Sequence, residues 1–184
     1  AQVIEAYDEY VDIHGADIDI EEFAQLCGFR CQDDRIKIPK AVEIAFQGEG
    51  SPLAASIQAS LAEYRAQQTT KLEQELFKQR TRLVDAERTL LTKTTKAATE
   101  SKRIATNKMA WAQDKLADLR RTELVAADSR IYPGYYAPVM VMENGRKVIK
   151  PMRYQYRLEG KPATYDTKYP GTYNARRDNL EGFW

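Results

Sequence analysis

Two cysteines, one histidine and a dense set of tyrosines and arginines are the residues of this chain with chemistry to offer. Cys27 and Cys31 stand four apart, a spacing that sets both thiols on one face of a helix. A metal bound there would need further ligands, and His14 is the single histidine. We therefore read the pair as buried thiols and expect no metal and no cofactor. His14 precedes Gly15, which suits a helix end better than a catalytic base. Glu21-Glu22 and Asp33-Asp34 read as solvated acidic faces, because adjacent side chains diverge on a helix. There is no glycine-rich phosphate loop.

The last third of the chain has a different chemistry. Residues 128–184 hold eight of the eleven tyrosines: Tyr132, Tyr135, Tyr136, Tyr154, Tyr156, Tyr165, Tyr169 and Tyr173. Arg130, Arg153, Arg157, Arg176 and Arg177 are interleaved with them. Guanidinium groups suit phosphates and flat rings suit unstacked bases, so the mixture points to single-stranded nucleic acid. Tyr-rich strand packing is the alternative. Residues 1–52 carry a net −8, residues 53–127 a net +5 and residues 128–184 a net +4, which suggests an anionic partner for the C-terminal part, although charge alone is better read as a solvated surface.

Elements must position these groups. The 184 residues, 43% hydrophobic and 30% charged, are enough for a buried core and too apolar for wholesale disorder. No run approaches the roughly 18 apolar residues of a membrane-spanning helix. The first residues lack the basic and apolar regions of a secretory signal, and two cysteines exclude a disulfide-stapled scaffold. We expect a cytoplasmic protein.

Residues 1–52 read as short helices. Ile4, Tyr7 and Val11 share one helical face, and His14-Gly15 stops that helix. Asp19 is placed to cap a second helix whose buried face is Phe23, Leu26 and Cys27. Pro39 opens a third at its first turn, with Val42, Ile44 and Phe46 inward. Gln47 to Pro52 is a break.

Residues 53–132 contain neither Gly nor Pro and are rich in strong helix formers. Leu76, Leu83, Leu90, Ala97, Ile104 and Trp111 stand seven apart, with Leu72, Ala86 and Leu116 on a second seam. The stretch is one long helix or a coiled-coil hairpin; its Thr-rich centre is a weak helix former, so a reversal near Thr92–Ser101 and an antiparallel hairpin over residues 53–127 are preferred.

Residues 128–184 switch to a strand pattern. Val139–Met142 and Lys147–Ile149 flank Glu143-Asn144-Gly145-Arg146, and Asn-Gly between such runs signals a hairpin. Pro151 then leads into another alternating run, Met152 to Arg157.

Three motifs in order resemble the SOS response-associated peptidase (SRAP) family. They are Tyr132-Pro133-Gly134-Tyr135-Tyr136-Ala137-Pro138-Val139, Lys150-Pro151-Met152-Arg153-Tyr154 and Tyr173-Asn174-Ala175-Arg176. The whole chain is similar to a bacterial subgroup with a helical insertion before the Pro-Gly segment. The resemblance implies an α+β fold: an SRAP-like, β-rich core with N-terminal helices over 1–52, the hairpin insertion over 53–127, and the β-rich part over 128–184. It also implies covalent capture of abasic sites in single-stranded DNA during the DNA damage response, near the nucleoid. In that family an N-terminal cysteine traps the ring-opened sugar aldehyde as a thiazolidine through its thiol and α-amine. Two nucleophiles on one residue act at high effective concentration. Any proteolysis is expected to be self-processing of the N-terminus.

By the same resemblance Asn174 orients the α-amine and Arg176, with Arg177 beside it, binds DNA phosphate. Arg153 lines the DNA groove, and Tyr154 takes the family's Trp position. The sequence departs from the family in opening at Ala1-Gln2, not at a cysteine, and Cys27 has no free α-amine. Asp178 stands where the family carries Glu, and the family's later Glu and His would follow Trp184. The chain thus reads as a partial version of the active protein, inactive in crosslinking without the cysteine. Two other classes compete: a coiled-coil module that self-associates or binds a partner helix through residues 53–127, and a plain single-stranded DNA binder with steep salt dependence.

Overall fold

Asn144 and Gly145 take φ values of 50° and 79°, the left-handed pair that a tight two-residue hairpin turn requires. On either side of them run β2 (Tyr136–Glu143) and β3 (Arg146–Arg153), antiparallel, with Glu143 opposite Arg146. This computed structural model describes residues 15–46, 50–157, 160–162 and 164–169. The helix expected over Ile4, Tyr7 and Val11, with its stop at His14, falls outside the described residues. So do Tyr173, Asn174, Arg176 and Arg177. The chain is α+β and divides into two units, Ala1–Leu61 with Leu124–Trp184, and Ala62–Glu123.

In the first unit the sheet has three strands, with β3 between β2 and a two-residue strand at Asp17–Ile18. The third strand is not the run after Pro151. It is β1 (Asp17–Ile18), which pairs parallel to β3 at Val148 and Ile149. β3 itself runs through Pro151, which stands opposite Pro138. Counting from the turn, that pair falls where both backbone nitrogens point away from the partner strand, so neither proline removes a bond from the hairpin. The same alternation turns the Tyr136 N–H outward, where it donates to the Lys37 carbonyl at 2.8 Å. It turns the Ile149 carbonyl outward, where it accepts from the Asp19 N–H at 3.0 Å.

Helix α1 (Ile20–Gln32) starts at Asp19, whose carboxylate accepts from the Glu22 N–H at 3.0 Å. Its buried face is Phe23, Leu26 and Cys27, as the spacing predicts. Helix α2 (Lys40–Ala45) follows Pro39, which caps the helix and is not its first residue. Its inward residues are Ala41 and Glu43, with Phe46 just beyond, while Val42 and Ile44 are half-buried. Glu43 is inward because Arg30 of α1 is also buried, and the two form an ion pair.

Helix α3 (Pro52–Thr92) contributes its first turns to this core. Ile57 and Leu61, essentially without solvent exposure, pack with Phe23, Leu26, Ile38 and Phe46. Full burial of such side chains stabilises by about 1.5–3 kcal/mol each. The division of the chain therefore falls after Leu61, not at residue 52, where the composition changes. Helix α5 (Thr164–Lys168) is the last described element.

The second unit is the remainder of α3 and helix α4 (Lys96–Arg120). The helix is interrupted at residues 93–95, where a reversal was expected near Thr92–Ser101. No Gly or Pro makes the interruption. Thr95 does, capping α4 by accepting from the Ala98 N–H at 3.1 Å, while the Thr92 hydroxyl donates to the Thr89 carbonyl at 3.0 Å. Arg82 donates to Ser101 at 2.8 Å, and Lys102 pairs with Glu87, Lys108 with Glu75 and Arg120 with Glu73.

Leu72, Ala86 and Leu116 are buried, as expected of the second seam, while the first seam is corrected. On α3 the buried residues of this unit are Tyr64, Leu72, Gln79 and Ala86, while Leu76, Leu83 and Leu90 are half-buried. On α4 they are Leu116 and the alanines Ala98, Ala105 and Ala112, which stand one residue after Ala97, Ile104 and Trp111. Trp111 is 53% exposed. Leu72 clusters with Ala112 and Leu116. Small alanines let backbones approach closely, and a tryptophan at that position would hold them apart. No helix among the described residues is long and apolar enough to cross a membrane.

Candidate nucleic-acid interface

The Tyr132–Tyr136 segment and the end of β3 are far apart in sequence and adjacent in space. The Gly134 N–H donates to the Tyr154 carbonyl at 2.7 Å, and the Tyr154 N–H donates to the Tyr135 carbonyl at 2.7 Å. Gly134 has a φ of +85°, a conformation that a side chain would strain. The turn it allows brings the Tyr132 and Tyr135 rings edge to face, with centroids 5.4 Å apart. Tyr132 and Tyr154 are both nearly half exposed. Two of the three resembling motifs thus form one surface.

Arg153 and Arg157 meet on a single carboxylate. Arg157 donates to Asp166 through Nε at 2.9 Å and Nη2 at 2.6 Å, and Arg153 donates through Nη1 at 3.2 Å. Hydrogen bonds from Arg157, more than any other cause, hold the Asp166 carboxyl below its ordinary value. The Asp166 side chain is 4% exposed and both arginines more than a third. One buried negative charge therefore orients two outward guanidiniums and leaves a net positive surface. Asp166 carries no sequence signal beyond being an acid in a basic segment.

Lys150, one strand position before Pro151, points to another cluster. It lies 2.8 Å from Glu143, 3.0 Å from Glu22 and 3.5 Å from Asp19. Hydrogen bonds from Lys150 to Glu143 and then Glu22 push its pKa up. This ties the hairpin to the start of α1, so Lys150 belongs to the scaffold.

The cysteines sit apart from the tyrosine surface in role. Cys27 is buried, and burial pushes its thiol up to about 11, so it stays protonated and a poor nucleophile. Cys31 is half-buried, not buried, and its thiol donates to the Ser60 carbonyl at 3.2 Å and the Cys27 carbonyl at 3.7 Å. Of the residues expected at the DNA, Arg153 and Tyr154 come together here. Asn174, Arg176 and Arg177 lie outside the described residues. No family model, no curated protein and no solved structure matches this chain.

Proposed function

We propose that this chain binds single-stranded DNA at abasic sites, as the SRAP-like core of a protein that crosslinks to them. The observation that carries this reading is the joining of Gly134 and Tyr135 to Tyr154, which gathers exposed rings beside Arg153 and Arg157. Rings for unstacked bases and guanidiniums for phosphates are what a single strand asks of a protein. The covalent step is assigned to an N-terminal cysteine, which Ala1 of this sequence is not. Its amine would condense with the sugar aldehyde, releasing water to give an imine. Its thiol would then add to the imine carbon, closing a thiazolidine. Asn174 would orient the amine, and Arg176 and Arg177 would hold phosphate.

In this reading the second unit is an antiparallel coiled-coil hairpin inserted into the core. Support comes from the order of the contacts: Glu87 with Lys102 near the break, Glu73 with Arg120 far from it.

The test is a denaturing gel. A protein that begins with cysteine and continues as this chain should give a DNA–protein band with an abasic oligonucleotide. The 184-residue chain should bind the same strand without a surviving band. Failure of both to bind at any low salt concentration would overturn the reading.

One observation favours a second reading, a helix-binding or self-associating module. Phe77, Val84 and Leu91 stand seven apart on α3 and are 76%, 39% and 86% exposed. Sedimentation of the chain would reveal association, and Leu91→Ser with Phe77→Ser would abolish it.

A further inference from the structure

Beyond β3 lies a groove of about 640 Å³ lined by Lys161, Pro162, Thr164, Tyr165, Lys168 and Tyr169. The rings of Tyr165 and Tyr169 are 4.5 Å apart between centroids and tilted by 41°. The Lys168 ammonium lies 5.5 Å from the centroid of the Tyr169 ring, and that residue is 43% exposed. Among the described residues neither Lys161 nor Lys168 has a carboxylate partner. The acid of this helix, Asp166, is already engaged by Arg157 and Arg153. The groove is thus positive, aromatic and of a size that takes a nucleotide.

We propose that this groove is a second nucleotide subsite, taking one base of single-stranded DNA on Tyr169 and the adjoining phosphates on Lys161 and Lys168. The inference rests on the DNA-binding reading above and extends it. Three features favour a single strand over a duplex or a peptide. The exposed ring offers a stacking platform, which paired bases do not need. Two lysines with no acid among the described residues suit phosphates. Asp166 of the same helix accepts from Arg153, which ties this helix to the end of the first surface.

The test is fluorescence anisotropy of the full chain with an oligothymidylate, across a range of salt. Tyr169→Ala should weaken binding by about 5- to 150-fold, the effect of losing one base–ring stack. Tyr169→Phe keeps the ring and should keep the affinity. Lys161→Ala with Lys168→Ala should lower the salt slope by about 1.4, the value for two phosphate contacts on a single strand. These lysines are exposed, so the double variant reports even where Tyr169→Ala does not fold. Wild-type affinity and slope in all variants would overturn the subsite and leave the DNA-binding reading standing. A changed slope with full affinity in a folded Tyr169→Ala protein would overturn the stacked base. A wild-type chain that binds no DNA would overturn both readings.

Discussion

Gly134 and Tyr154 are joined by a 2.7 Å backbone hydrogen bond, made possible by a glycine φ of +85°. A Cβ added at Gly134 would meet nothing closer than the Arg153 Nη2 at 3.8 Å, so space is not the constraint. The backbone conformation is. Gly134→Ala is expected to cost about 1–2 kcal/mol. Thermal unfolding checks this, and an unchanged Tm would mean the turn is not held in that conformation.

Asp166 should make stability depend on pH in one direction. Its carboxyl is held below the ordinary 3.8, first by hydrogen bonds from Arg157. A depressed carboxylate stabilises fully above its unfolded value and loses that contribution as pH falls through its folded value. Asp166→Asn should therefore cost about 1–3 kcal/mol at neutral pH, and the difference from wild type should shrink below about pH 4. Denaturant unfolding at several pH values measures it. A difference independent of pH would sink the assignment.

Arg30 and Glu43 are a buried pair between α1 and α2. Removing one residue takes from the other its buried counter-charge. Glu43→Ala is expected to cost about 3–5 kcal/mol, whereas Arg30→Met with Glu43→Leu should recover most of it. Urea midpoints of the single and double variants decide this. Equal losses in both would mean that packing, not charge, is at stake.

Gln79 is 2% exposed, and its buried Oε1 accepts no hydrogen bond among the described residues, while its amide donates to Glu75 at 2.9 Å. Gln79→Leu removes an unsatisfied group and should stabilise the chain by about 1 kcal/mol. Ala105→Leu, at a fully buried alanine of α4, should instead destabilise by about 1–3 kcal/mol through overpacking. Helix loss followed by circular dichroism on heating tests both. A stabilising Ala105→Leu would refute close packing at that alanine.

Asn174→Ala, in a protein beginning with cysteine, should slow crosslinking to an abasic strand more than it weakens binding. Parallel measurement of crosslinking rate and anisotropy separates the two. Equal losses would make Asn174 a DNA contact only.

Much of the local structure was legible because its causes are local. Asp19 caps α1 through its own carboxylate, and Asn144-Gly145 turns the hairpin because both residues tolerate positive φ. The interruption between α3 and α4 follows from threonines that bond their own backbone, a preference readable without glycine or proline. The pooling of tyrosine and arginine near the C-terminus is likewise a property of composition.

What only the tertiary structure decided depends on groups distant in sequence. β1, two residues long, has no periodicity to read and exists because β3 offers it a partner. Pro151 was expected to divide two strands, yet the register against Pro138 lets β3 pass through it. A heptad repeat gives a period but not its phase. The choice of Ala98, Ala105 and Ala112 over Ala97, Ile104 and Trp111 came from what α3 could pack against. Glu43 and Asp166 carry no sequence signal of burial; Arg30, Arg153 and Arg157 decide it, because a charge is buried where another neutralises it.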